Sequence, residues 1–248
     1  MKTTSKTTIG EIAANDFRTT AIFLKYSIDF SFKGHRTLKE VCKKRNIEES
    51  LLIEELDRAK TNSANQSFNY NSWSLDLLTD YIEKTHHRYV AEKVPVLRKL
   101  LNELCSIHGE AHPELFEINT LFTESALDLS ANMRKEEQVL FPFIKKIKDA
   151  HTKGLFLEIA HFGTIENQII LNKEEHYTVG QRFKKIAVLT NKYIPPADTS
   201  NTYNVAFAML KEFERNLDKH IYLENNILFP KAVALEKASI KLFKTKNG

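Results

Sequence analysis

No apolar run in this sequence approaches the ~20 residues that a membrane-spanning helix needs, so no membrane is expected among its partners. Seven glycines and six prolines in 248 residues leave little turn-forming material, and a hydrophobic share of 42% then points to a mostly helical globular chain. Cysteine is scarce as well. Cys42 and Cys105 stand far apart, which excludes a disulfide framework and suits free thiols in a reducing compartment. There is no basic block: the net charge is +4, and Lys and Arg are interspersed with Glu and Asp, so no nucleic-acid partner is expected. The opening stretch MKTTSKTTIGEIAAND lacks the apolar core of a secretory signal. The expected location is the cytoplasm.

What is present is organised around His220-Ile-Tyr-Leu-Glu224-Asn-Asn-Ile-Leu-Phe-Pro230. On a helix, His220 and Glu224 point from one face, one turn apart. Leu210, Phe213, Leu217, Ile227 and Leu228 fall on the same stripe, so an ionisable pair sits where burial is costly. A bound metal is one way to remove that cost. The layout recurs upstream in Asn132-Met-Arg-Lys-Glu136-Glu-Gln-Val-Leu-Phe-Pro142. By that symmetry position 132 should be histidine, and it is asparagine.

Along the chain, residues 1–62 read as a small helical N-terminal domain. Thr8/Glu11 and Thr37/Glu40 fit capping boxes, and Asp16 fits a cap for a helix from Phe17 to Tyr26. A core of that size is marginal alone and calls for docking or a homodimer. The polar stretch Thr61 to Ser72 reads as a linker. Four long helices follow over about 75–107, 113–148, 164–193 and 202–235, within a domain of 73–240; short connections between them argue for a four-helix bundle.

Each bundle helix offers an inward His or Glu. His176 shares a face with Ile169, Val179 and Phe183. In His86-His87, the second histidine lines up with Val90, Val94 and Leu97 and the first with Leu78 and Ile82, so spacing alone leaves both open. The convergent set is His87, Glu136, His176, His220 and Glu224. Three imidazoles, two carboxylates and no thiolate suit non-haem iron, or manganese, better than structural zinc. Asp128 and Glu175 are candidates to accept a hydrogen bond from a ligand imidazole. His35, His108, His112, His151 and His161 are expected to be structural or exposed.

The segments TIGEIAAND, DFSFKGHRTL, HHRYVAEKVP, IHGEAHPEL, KEEQVLFP, EEHYTVG and HIYLENNILFP resemble the hemerythrin-like di-iron proteins, and among them the iron–sulfur cluster repair (repair of iron centres) family. The resemblance implies an all-α fold, a hemerythrin-like four-helix bundle behind a small helical domain, and two irons. The metal ligands it implies are His87, Glu136, His176, His220 and Glu224, with both glutamates bridging. A sixth ligand histidine falls on Asn132, so one iron position should be weak; manganese or zinc are the substitutes to consider. The adjacent cysteines of the family pattern are replaced within Ser31-Phe32-Lys33-Gly34, which removes the basis for thiol chemistry there. The implied function is repair of iron–sulfur clusters damaged by nitric oxide or oxidative stress, with damaged iron–sulfur proteins as partners. The alternatives are a sensor or carrier of O2 or NO, and a di-iron NO reductase or peroxidase.

Overall fold

A computed structural model describes residues 3–61, 69–155, 163–197 and 199–247. No β-strand forms among them; an isolated antiparallel bridge pairs Thr8 with Thr37. Most of the stretch read as a linker, and His161, lie outside the described residues. Two compact units emerge, Met1–Leu78 with Ile221–Lys231, and Thr79–His220 with Ala232–Gly248.

In the first unit the short helices α1 (Ile9–Asn15), α2 (Thr20–Lys25), α3 (Leu38–Arg45) and α4 (Glu49–Thr61) are set by local chemistry. Both capping boxes are present: the Thr8 amide donates to Glu11 at 2.9 Å and the Thr37 amide to Glu40 at 2.8 Å. The bond from Thr37 also holds the Glu40 carboxyl below its usual range. Helix starts leave amides without intrahelical partners. Here the Ile9 and Gly10 amides donate to the Arg36 and Gly34 carbonyls, and Leu38 donates to Thr7, so the starts of α1 and α3 satisfy each other. Asp16 accepts from the Arg18 amide at 3.0 Å and opens a 3-10 turn, Phe17–Thr19, ahead of α2.

Ile9, Phe23, Leu38, Leu52 and Leu56 are fully buried and make the core of this unit. Phe17, Phe30 and Tyr222 pack ring against ring at 5.7–6.4 Å. The Tyr222 hydroxyl donates to the Gly10 carbonyl at 2.9 Å, and Asn226 Nδ2 donates to the Ser31 carbonyl at 3.0 Å. The loop at Ser31 to Gly34 is therefore held through its backbone. Cys42 is buried, and burial pushes its thiol up, with Glu49 adding to the shift.

The later helices are α5 (Leu75–Tyr81), α6 (Arg88–His108), α7 (Glu114–Lys135), α8 (Phe141–Lys153), α9 (Ile165–Leu189), α10 (Asn201–Leu223) and α11 (Phe229–Asn247). They run as four long rods, because π turns at Ile82–His87, Glu136–Leu140 and Glu224–Leu228 carry the helix on from one segment to the next. In two of the three, the Phe-Pro dipeptide supplies a reason. Pro142 and Pro230 have no amide hydrogen, and in a regular α-helix their rings would strike the carbonyl four residues back. The ladder opens instead, and the Phe141 and Phe229 amides reach back five residues to the Glu136 and Glu224 carbonyls. No proline adjoins the first π turn, where Arg88 bonds to Glu83. Pro95 lies within α6. The second helix ends at Lys153 and the fourth at Asn247, both beyond the ends expected from periodicity.

Within the second unit, Phe122, Phe183 and Phe213 pack with centroids 5.4–6.3 Å apart beside fully buried Leu101, Leu104, Ile118 and Ile186. Buried Glu236 accepts the Ile165 amide at 3.1 Å at the start of α9. Among the described residues no helix is long and apolar enough to cross a membrane.

A Cβ added at Gly34 would fall on Asn226 Oδ1 and sit 3.0 Å from the Phe30 carbonyl oxygen. Gly34→Ala is expected to lower unfolding free energy by about 1–3 kcal/mol, as overpacking does. Urea unfolding checks this, and the loss should shrink in an Asn226→Ala background, where the colliding amide is gone.

Candidate metal centre

The π turns lie at the candidate ligands: one ends at His87 and the others begin at Glu136 and Glu224. Each adds a residue to a turn and so shifts the phase of the helix beyond it. One result is that His86 and His87, adjacent in sequence, are both buried, at 1% and 3% exposure. Neither is solvated, as histidines near a helix end would be. His87, Glu136, His220 and Glu224 each offer one ligand atom, and these atoms lie within 4.8 Å of one another. Within this group the Nε2 atoms of His87 and His220 are 3.2 Å apart, and His87 Nε2 is 3.4 Å from Glu136 Oε2.

The other member of the expected set, His176, is buried too, with Nε2 3.6 Å from Glu136 Oε1 and its ring 6.0 Å from that of His220. Asn132 Nδ2 lies 3.1 Å from both that oxygen and His176 Nε2. Asn172 Nδ2 donates to the same Oε1 at 2.7 Å. Glu136 thus turns one oxygen toward His87 and the other toward two amides.

Two carboxylates buried among imidazoles are costly unless positive charge joins them. The donor set fits a cation: it offers imidazole nitrogens and carboxylate oxygens, without thiolate, at nearly full burial. His87 is oriented for such a role. Its Nδ1 pairs with Glu137 Oε1 at 2.8 Å, which keeps the ring proton on Nδ1 and leaves the Nε2 lone pair toward the group. Phe141 stacks on the ring with centroids 5.5 Å apart. His86 is supported differently, by Asn216 Oδ1 at 3.0 Å and by stacking on His220.

Neither carboxylate proposed from sequence as an imidazole acceptor takes that part. Asp128 pairs with Arg182 at 2.5 Å and Glu175 with Lys135 at 2.6 Å. Sequence reasoning missed Glu137 and Asn172. Glu137 follows a candidate ligand directly, so regular α-helical phase would turn it well away. Asn172 had a legible signal, since it stands four residues before His176, the spacing that also separates His220 from Glu224. His87 and Glu137 also line a cleft of about 460 Å³, together with Lys84, Arg88 and Arg134.

Comparison with known proteins agrees with this picture. The family model described as the hemerythrin HHE cation binding domain matches residues 78–232, and ScdA_N, a domain of unknown function, matches residues 5–60. An iron-sulfur cluster repair protein YtfE of Musicola paradisiaca is 29% identical over 225 residues, covering 91% of this chain and 95% of the relative. An iron-sulfur cluster repair protein ScdA of Staphylococcus haemolyticus is 25% identical over 228 residues, with coverages of 92% and 98%. A YtfE protein of Yersinia pestis is 28% identical over 91% of the chain and 96% of its own length.

Removing a partner that orients a ligand imidazole typically lowers metal affinity ~10–100-fold. Glu137→Ala should weaken ferrous-ion binding by about that factor in a chelator competition, whereas Glu137→Gln, which can still accept from Nδ1, should retain most of it.

Proposed function

Because the chain belongs to the hemerythrin HHE cation-binding family, we propose that it is a non-haem iron protein that repairs iron–sulfur clusters damaged by nitric oxide or oxidants. The observation that carries the reading is the buried group His87, Glu136, His220 and Glu224, with ligand atoms within 4.8 Å of one another. Its support from relatives is that proteins named for iron-sulfur cluster repair align over nine-tenths of the chain. Nitrogen and oxygen donors without thiolate suit iron, with manganese the nearest competitor. In this reading those four side chains make the donor set, His176 stands beside it on the third bundle helix and faces Asn132, the bundle over 73–240 holds the metal, and the clients are damaged iron–sulfur proteins of the cytoplasm.

Bound iron would supply either a labile ion for a depleted cluster or a centre that takes up the damaging molecule. The protein's own part is to hold the imidazoles and carboxylates in place in a buried interior. Glu137 keeps the His87 proton off the coordinating nitrogen, and Phe141 restricts the ring. The domain over 1–62 acts by packing in this reading. Its thiol at Cys42 is buried and held protonated, and its loop at Ser31 is engaged through the backbone.

A second reading, a carrier or sensor of O2 or NO, is favoured by the cleft beside His87. The two separate in one assay, recovery of a nitric-oxide-damaged cluster enzyme on addition of the purified protein. Repair predicts recovery; a carrier predicts reversible gas binding with none. Glu224→Ala should lower bound iron at least ~10-fold and abolish recovery with helical content kept, since a lost ligand exceeds the effect of a lost supporting partner. Cys42→Ala should leave iron content and recovery near wild type; a large loss in a folded variant would make Cys42 a functional thiol.

A further inference from the structure

At Oε1 of Glu136 the geometry points to a single-metal centre: we infer that the amides of Asn132 and Asn172 take the place of a second metal ion and convert Glu136 from a bridging to a terminal ligand. This rests on the metal-site reading above and concerns how many ions the site takes.

Glu136 Oε1 accepts from Asn172 Nδ2 at 2.7 Å and from Asn132 Nδ2 at 3.1 Å. A carboxylate oxygen has about two lone-pair sites, and both are engaged. Asn172 cannot turn away at no cost, because its Oδ1 accepts from Gln168 Nε2 at 3.1 Å; exchanging the two ends of the amide would break both bonds. Asn132 is placed with equal definition. Its amino group spans the gap between Glu136 Oε1 and His176 Nε2, 3.1 Å from each, with one hydrogen for the carboxylate and one for the imidazole. The reverse orientation would set its oxygen against the carboxylate. As placed, Asn132 Oδ1 is buried without a hydrogen bond, a cost accepted to keep the donor end inward. The positive pole between His176 and Glu136 is thus an amide. Oε2 faces the four-residue group instead, 3.4 Å from His87 Nε2.

The purified full-length chain, loaded anaerobically with ferrous iron and desalted, should hold one iron per chain. After oxidation it should give the EPR signal of isolated high-spin ferric iron. A second equivalent should bind at least ~100-fold more weakly, at or beyond the upper end of the loss produced by altering a supporting residue alone. Asn132→His combined with Asn172→Leu frees Oε1 and restores an imidazole, and should take the chain toward two irons with a coupled, EPR-silent pair. Two tight irons in the wild type would overturn this inference and leave the metal-site reading intact; no iron would overturn that reading itself. A double variant that is folded by circular dichroism and stays at one iron would remove the amides as the cause. The wild-type stoichiometry and spectrum decide the matter even where that variant fails to fold.

Discussion

Glu136 and Glu224 are both fully buried, and bringing two carboxylates out of water is the demand that the rest of the interior answers. An isolated buried carboxylate is costly enough that it would normally protonate or find compensation. Here compensation comes from several directions. Imidazoles of His87 and His220 close one side, and amides of Asn132 and Asn172 close the other. Fully buried Leu101, Ile118 and Phe213, elsewhere in the same interior, contribute apolar burial that offsets part of the cost.

The helices that carry these residues do not keep regular phase throughout. A π turn begins at each of Glu136 and Glu224, and another ends at His87. Where Phe-Pro follows, the covalent structure of proline itself opens the ladder, so a motif that reads as a helix end instead produces a continuous rod with one wide turn. The wide turn also brings Glu137, immediately after the buried Glu136, within 2.8 Å of His87 Nδ1. Proline here tunes side-chain direction rather than ending the element.

The same point marks the boundary of what the sequence made legible. The capping boxes at Thr8 and Thr37 were readable because both partners lie within four residues, and they formed as read. His220 and Glu224 were readable because a four-residue spacing in an apolar stripe is a local fact too. The choice between His86 and His87 was not, since it depends on a phase shift that leaves both buried. Asp128 was a reasonable candidate on regular spacing, but nothing local announced Arg182, which lies far along the chain and draws it outward. The grip on Gly10 and on the Ser31 loop was hidden for the same reason: Tyr222 and Asn226 reach them from the other end of the sequence.

Charge balance gives the amide pair its meaning. With the carboxylates ionised and the imidazoles neutral, as ligands to a metal are, the group carries a formal charge of about −2, and one divalent cation cancels it. A second divalent ion would leave about +2 in a site with almost no exposure, and would need an anion from outside to be tolerated. A histidine at position 132 would not change that sum, because a coordinating imidazole is neutral. What Asn132 and Asn172 change is directional. They present N–H donors to Glu136 Oε1 where a second ion would demand lone pairs, so the site gains hydrogen bonds without gaining charge. Neutrality with one ion and satisfied lone pairs on Oε1 are separate requirements, and the same four side chains, Asn132, Glu136, Asn172 and His176, answer the second without disturbing the first.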